Sequence, residues 1–160
     1  MADAKPRIET SPAFTVAGLR KQHPFGNAMF GAIAGQWQEF GPMIPRVVNP
    51  KGRASFGLCF DMTGNKSAFD YLTGVEVTSL DGVEQPFAGV TLPAKTYAVF
   101  VHEGHVSRLH ETVKSAWDWL PTSGRKLDEA GGPTFFERYG ETFDPRSGTG
   151  EIEVWFPVTG

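Results

Sequence analysis

The sequence predicts an α+β domain of two βαββ units related by a pseudo-twofold, sharing a mainly antiparallel sheet of about eight strands. Three observations predict it. Both halves run strand, helix, strand, strand. Each helix carries a tryptophan shortly before a proline, Trp37 before Pro42 and Trp117 before Pro121. The last strand of each half carries a similar tetrad, "GVEV" at 74–77 and "EIEV" at 151–154. Two amphipathic helices can cover one face of such a sheet, which leaves the other for polar groups, an oligomer or a ligand groove.

In the first half, "FTVAGLRKQ" (14–22) is a short apolar run that reads as a strand. Residues 26–44 form a helix, with Met29, Phe30, Ile33, Trp37 and Phe40 at helical spacing, Asn27 as its cap and Gly41-Pro42 as its stop. Residues 53–62 alternate Phe56, Leu58 and Phe60 against Ser55, Gly57 and Cys59, as a strand does. A turn at 63–67 leads into a strand over 69–80, where Gly74 marks a bulge.

The second half repeats this order. A strand over 94–104 precedes a helix over 106–121, which places Val106, Leu109, Val113, Ala116, Trp117 and Leu120 on one side. Pro121 and Gly124 end it. "PTFFERY" (133–139) and "GEIEVWFPV" (150–158) are the closing strands. At 160 residues the chain fits one domain, with repeat halves at about 7–80 and 94–158.

Composition narrows the function classes. The chain is 40% hydrophobic and 21% charged, the balance of a globular protein. Its net charge of −3 argues against non-specific affinity for nucleic acid or anionic membranes. Cys59 is the single cysteine, so no intrachain disulfide forms. The N-terminus lacks a basic region followed by an apolar core, and no apolar run approaches the roughly 18 residues of a membrane span. A cytoplasmic protein with no membrane partner is expected.

The chemistry-bearing motifs are few. "HEGH" puts His102 and His105 three apart, with His110 beyond, whereas a zinc protease needs two histidines four apart on one helical face. No metal and no cofactor are expected. Ser107 and Ser123 lack a nucleophile-elbow context, and Cys59 reads as a small core thiol. "PTFFERYGE" (133–141) is the informative stretch. Its alternation sets Phe135, Glu137 and Tyr139 on one face, Phe136 and Arg138 on the other. Glu137 is either an exposed edge-strand charge or the polar centre of an aromatic pocket. Glu153 and Trp155 share a face in the last strand, and Glu76 sits at a similar place in the first half. Helical periodicity assigns Trp37, Trp117, Phe40 and Phe30 to the core. Trp119 falls off its helix's apolar stripe and is free to point elsewhere.

Four stretches, "TYAVFVHEG", "WDWLPTSG", "PTFFERY" and "EIEVWFPV", together with "VAGLR" and "FDYLTGVEV" in the first half, resemble the GyrI-like effector-binding domain, also called the AraC-type effector-binding or SOUL-like fold. The resemblance covers about residues 7–158. It implies a ligand groove between the halves. In the family's drug sensors a glutamate in an aromatic pocket recognises lipophilic cations, and the matching position is Glu137, followed by Tyr139. The expected ligand site is thus Glu137, Tyr139, Phe135, Tyr71, Trp155 and Trp119, taking a small lipophilic or cationic molecule. Some standalone members resemble hydrolases of cyclopropane-containing genotoxins, a role in which Glu137 and Glu153 would be the catalytic carboxylates. One branch regulates a topoisomerase through protein contact, so a protein partner is a third reading. No segment resembles a helix-turn-helix, and direct DNA binding is not expected. A homodimer interface is the alternative use of the same aromatic residues.

Overall fold

The computed structural model describes residues 5–26, 28–63 and 67–159. It contains eight strands: β1 (Arg7–Ser11), β2 (Phe14–Pro24), β3 (Pro50–Phe60), β4 (Ala68–Val77), β5 (Ala88–Leu92), β6 (Lys95–His102), β7 (Phe135–Tyr139) and β8 (Ile152–Val158). Helix α1 (Met29–Phe40) lies between β2 and β3, and α2 (Leu109–Trp119) between β6 and β7. The class is the α+β fold that the sequence predicts. Both helices are shorter than their apolar patterns, because 3-10 turns finish them. Pro42 and Pro45 force that geometry after α1, and Pro121 after α2. Asn27, the expected cap of α1, lies outside the described residues, as do residues 64–66 of the expected turn.

The strands form one antiparallel sheet in the order β1-β6-β8-β7-β3-β4-β2-β5. The pairing β3·β7 lies at its centre and relates the halves. Strands β1 and β5, too short to stand out in the sequence, are exchanged. Each precedes the first long strand of one half but pairs with that of the other, β1 with β6 and β5 with β2. The halves are thereby interlocked at both sheet edges.

The registers also correct a correspondence. Gly57 pairs with Glu137 across the centre, and their outer partners are Thr73 and Val154. Thr73 therefore answers Val154, and Leu72, not Glu76, answers Glu153. The similarity of "GVEV" to "EIEV" is out of register with the strand pairing. Nor does Gly74 mark a bulge. It pairs regularly with Gly18 and Phe56, and the irregularity lies in β3 between Pro50 and Ser55. Gly74 is required by crowding instead: a Cβ there would come within 2.6 Å of Val16 and 2.8 Å of the Ala17 carbonyl.

The two faces of the sheet are both cores. On one, α1 and α2 pack over Tyr71, Phe100, Phe135, Tyr139, Ile152, Val154 and Phe156, and Phe40 covers Ala17, Leu19, Val75 and Val77. On the other, Val16, Phe56, Leu58, Leu72, Tyr97, Val99 and Phe136 cluster without any helix. Curling of the sheet makes this possible. Phe14 of β2 lies 5.8 Å from Phe136 of β7, ring centre to ring centre. Flat, those strands would stand roughly 14 Å apart, three interstrand spacings. Phe30, assigned to the core by periodicity, is 56% exposed. It lies at the outer end of α1, touching His110 of α2 at 5.5 Å.

Candidate functional site

Strand β7 alternates as the sequence requires, but its acidic face meets the helices. Phe135, Glu137 and Tyr139 point to the side that α1 and α2 cover, not to the uncovered side that the sequence left open for a ligand groove. The reason is the curl: the helix-free face closes on its own aromatic rings, and Glu137 lies between sheet and helices.

Three side chains converge there. The Tyr71 hydroxyl donates to Glu137 Oε1 at 2.7 Å, and the Tyr139 hydroxyl donates to the same oxygen at 2.8 Å. The Trp37 indole Nε1 donates to the Tyr71 oxygen at 2.9 Å. The Trp37 ring meets Tyr139 edge-on at 5.2 Å, and Phe143 lies against Tyr139 at 4.9 Å. Among the described residues Oε2 of Glu137 has no donor, although no buried side-chain nitrogen or oxygen there lacks a partner. Oε2 is therefore not fully sealed from solvent, and Glu137 as a whole is 9% exposed.

Helix α1 is pinned over this cluster by Gln36. Its Nε2 donates to the carbonyls of Leu19 at 2.9 Å and Tyr71 at 3.0 Å, and its Oε1 meets His23 Nε2 at 2.6 Å. A buried amide satisfied at both ends holds one helix rotation. The adjacent Trp37 is thereby aimed at Tyr71.

Gly57 completes the geometry. It is Glu137's partner across the central strand pair, so the pseudo-twofold sets a glycine where its mate has the acid. A Cβ at Gly57 would overlap the Tyr71 hydroxyl and come within 2.6 Å of Glu137 Oε1. Gly57→Ala is expected to lower stability by about 1–3 kcal/mol, as overpacking does. Urea denaturation measures it, and Tyr71→Phe in the same chain should recover part of the loss; an unchanged midpoint in Gly57→Ala would refute the crowding.

Burial drives the electrostatics. It pushes the Glu137 carboxyl above its ordinary value, and the two hydroxyl bonds pull partly back. Burial and the neighbouring carboxylate push Tyr71, Tyr139 and Cys59 well up. These three stay neutral, which leaves Glu137 as the carboxyl of the cluster.

The other predicted residues separate. Phe135 shares Glu137's face but stacks on Phe156 at 4.9 Å and abuts Trp117. Trp119 packs on Phe100 at 5.5 Å. Trp155 lies on the opposite face, stacked on Phe136 at 5.4 Å, and donates to Glu153 Oε1 at 3.0 Å. Glu153 is held there by Arg7 at 2.9 Å and by Arg138 at 3.7 Å. Glu137 and Glu153 thus sit on opposite sides of the sheet, because Glu137 pairs with Val154 and Arg138 with Glu153. They do not converge on one substrate. Glu76 faces Glu153's side, 3.6 Å from Lys51, at a surface depression of about 340 Å³.

The sequence reading missed Trp37, Gln36 and Gly57. Trp37 sits on the apolar stripe of α1, which hides its polar edge. One signal was available, since a buried indole N–H requires an acceptor. Among the described residues no group of three or more His, Cys, Asp or Glu side chains is placed to hold a metal ion. His102 bonds Thr112 and the His105 carbonyl, and the His105 ring accepts from the Ser107 amide. No helix among the described residues is long and apolar enough to cross a membrane.

The model of the GyrI-like small molecule binding domain matches residues 4–159. The transcriptional regulator BrlR of Pseudomonas aeruginosa is 29% identical over 95% of this chain and 54% of its own length, so the chain spans about half of that relative. Among solved structures, SAV2435 bound to tetraphenylphosphonium superposes with a TM-score of 0.77 at 21% identity, covering 98% of this chain and 94% of that one. The C-terminal domain of EcmrR gives 0.70 at 17% identity, covering 98% of each chain. A hydrolase from Listeria innocua gives 0.52 at 12% identity, covering 99% of this chain and 94% of that one. At these identities the structural likenesses establish a shared fold.

Proposed function

The chain belongs to the GyrI-like small-molecule-binding family, and on that premise we propose that it binds lipophilic monocations beside Glu137, between the sheet and its two helices. The observation that carries this reading is the lopsided bonding of Glu137. Two tyrosine hydroxyls occupy Oε1, and Oε2 is left without a donor among the described residues. A buried carboxylate with one free oxygen is poorly compensated, and a cation is what compensates it. The walls suit a cation that cannot donate hydrogen bonds. Trp37, Tyr139 and Phe143 offer aromatic surface. Cation–π attraction adds about 0.5–2 kcal/mol. At 9% exposure Glu137 is open to small molecules such as water, and a bulky ligand has to displace neighbouring side chains to reach it.

Tetraphenylphosphonium, the ligand of the similar protein SAV2435, is the natural probe. Tetraphenylborate has the same shape and the opposite charge. In calorimetric titrations the phosphonium should bind at least about tenfold more tightly, a difference of about 1.4 kcal/mol. Equal affinity for the two would mean that shape alone is recognised, and would end the proposal.

A further inference from the structure

The hydrogen-bond chain at Glu137 has a fixed direction. An indole N–H only donates, so the Tyr71 oxygen accepts from Trp37 and its own proton is turned onto Glu137 Oε1. Tyr139 sends a second proton to the same oxygen. A carboxylic proton on Oε1 would collide with both. When Glu137 is neutral, its proton sits on Oε2, the atom with no donor among the described residues and with solvent contact.

We propose that Trp37 is a positioning residue that commits Tyr71 to Glu137 Oε1, so that Oε2 holds either a proton or the ligand's positive charge and binding is a proton-for-cation exchange. The inference rests on the reading of Glu137 as the cation site. In the exchange the Oε2–H bond breaks and the proton leaves to water. The electron pair stays on the carboxylate, and the incoming cation takes over the charge compensation.

Several groups face Glu137 from the elements packed around it. Tyr71 on β4, Tyr139 on β7 and Cys59 on β3 all face it and are all pushed well up by burial. From β2, His23 meets the Tyr71 ring at 6.3 Å and is bonded through Nε2 to Gln36. Helix α1 presents the uncharged Gln36 and Trp37, and α2 presents Val113, Ala116 and Trp117. Hydrogen-bonded chains polarise one another, so donation from Trp37 makes Tyr71 the better donor to the carboxylate.

The test is calorimetric titration with tetraphenylphosphonium chloride across the acid-to-neutral range, in two buffers of different ionisation enthalpy. Up to one proton should be released per phosphonium bound, with affinity falling about tenfold for each pH unit below a midpoint. Trp37→Phe should move that midpoint upward, since Tyr71 then stabilises the carboxylate less. Tyr71→Phe removes the same donation and should move it in the same direction; it serves if Trp37→Phe does not fold, as judged by circular dichroism. Affinity independent of pH and enthalpy independent of buffer would overturn the exchange while leaving cation binding intact. A midpoint unmoved in the folded variants would overturn the role of Trp37. Absence of binding at every pH would instead overturn the cation site itself.

Discussion

Glu137→Gln should weaken tetraphenylphosphonium binding at neutral pH by at least about tenfold and, in the same protein, stabilise the ligand-free domain. The first effect follows from charge. Two unit charges 4 Å apart attract by about 4 kcal/mol at the effective dielectric of partly wet protein sites, so tenfold is a modest demand. The second follows from burial. Desolvation raises the carboxyl of folded Glu137 above its ordinary value. The stability that this group contributes is therefore complete below its unfolded value and is lost as pH rises through the folded one. Once pH has passed the folded value the wild type carries that loss and the amide does not. Gln can still accept both tyrosine hydroxyls through its carbonyl oxygen, so the bonds at Oε1 have a substitute. Urea denaturation at acid and neutral pH reads the difference: the variant should gain at neutral pH and lose its advantage in acid. A variant less stable than wild type at neutral pH would show that the carboxylate is structural.

Phe136→Ala should cost about 3–5 kcal/mol, the range for truncating a buried aromatic side chain. Phe136 is 1% exposed and touches four other rings of the helix-free face. Phe14, Phe56, Tyr97 and Trp155 all lie within 5.8 Å of it, centre to centre. No helix is available on that side to collapse into the gap. Phe30→Ala, on an exposed helical surface, should change stability by less than about 0.5 kcal/mol. Urea midpoints for the pair make the comparison. A Phe136→Ala cost near that of Phe30→Ala would mean that the curled interior is not a second core.

These two experiments divide along what could be read in the sequence. The repeated element order, the two helices and six of the strands follow from periodicity, because an apolar stripe at helical spacing and an alternating run each have one way to bury themselves. Strands β1 and β5 were missed. "RIETS" and "AGVTL" are edge segments whose pairing is decided by the opposite half of the chain, which no local window contains. The site divides in the same way. Alternation in "FFERY" puts Glu137 and Tyr139 on one face, and Tyr71 is legible as a strand aromatic. Trp37 and Gln36 are hidden in the apolar stripe of a helix, where a hydrogen-bonding edge leaves no periodic trace.

By itself the sequence determined the class of fold, the faces of each strand and the presence of an acid among aromatics. Only the tertiary structure decided which side of the sheet those faces would meet. Curl closed one face on its own rings, so Glu153 and Trp155 became part of an ion-paired wall around Phe136. The other face received the helices, and with them Trp37 over Tyr71 and Glu137. A strand's pattern fixes which residues point together, because the backbone repeats every two residues. It says nothing of what they point at, because that partner comes from residues distant in the chain.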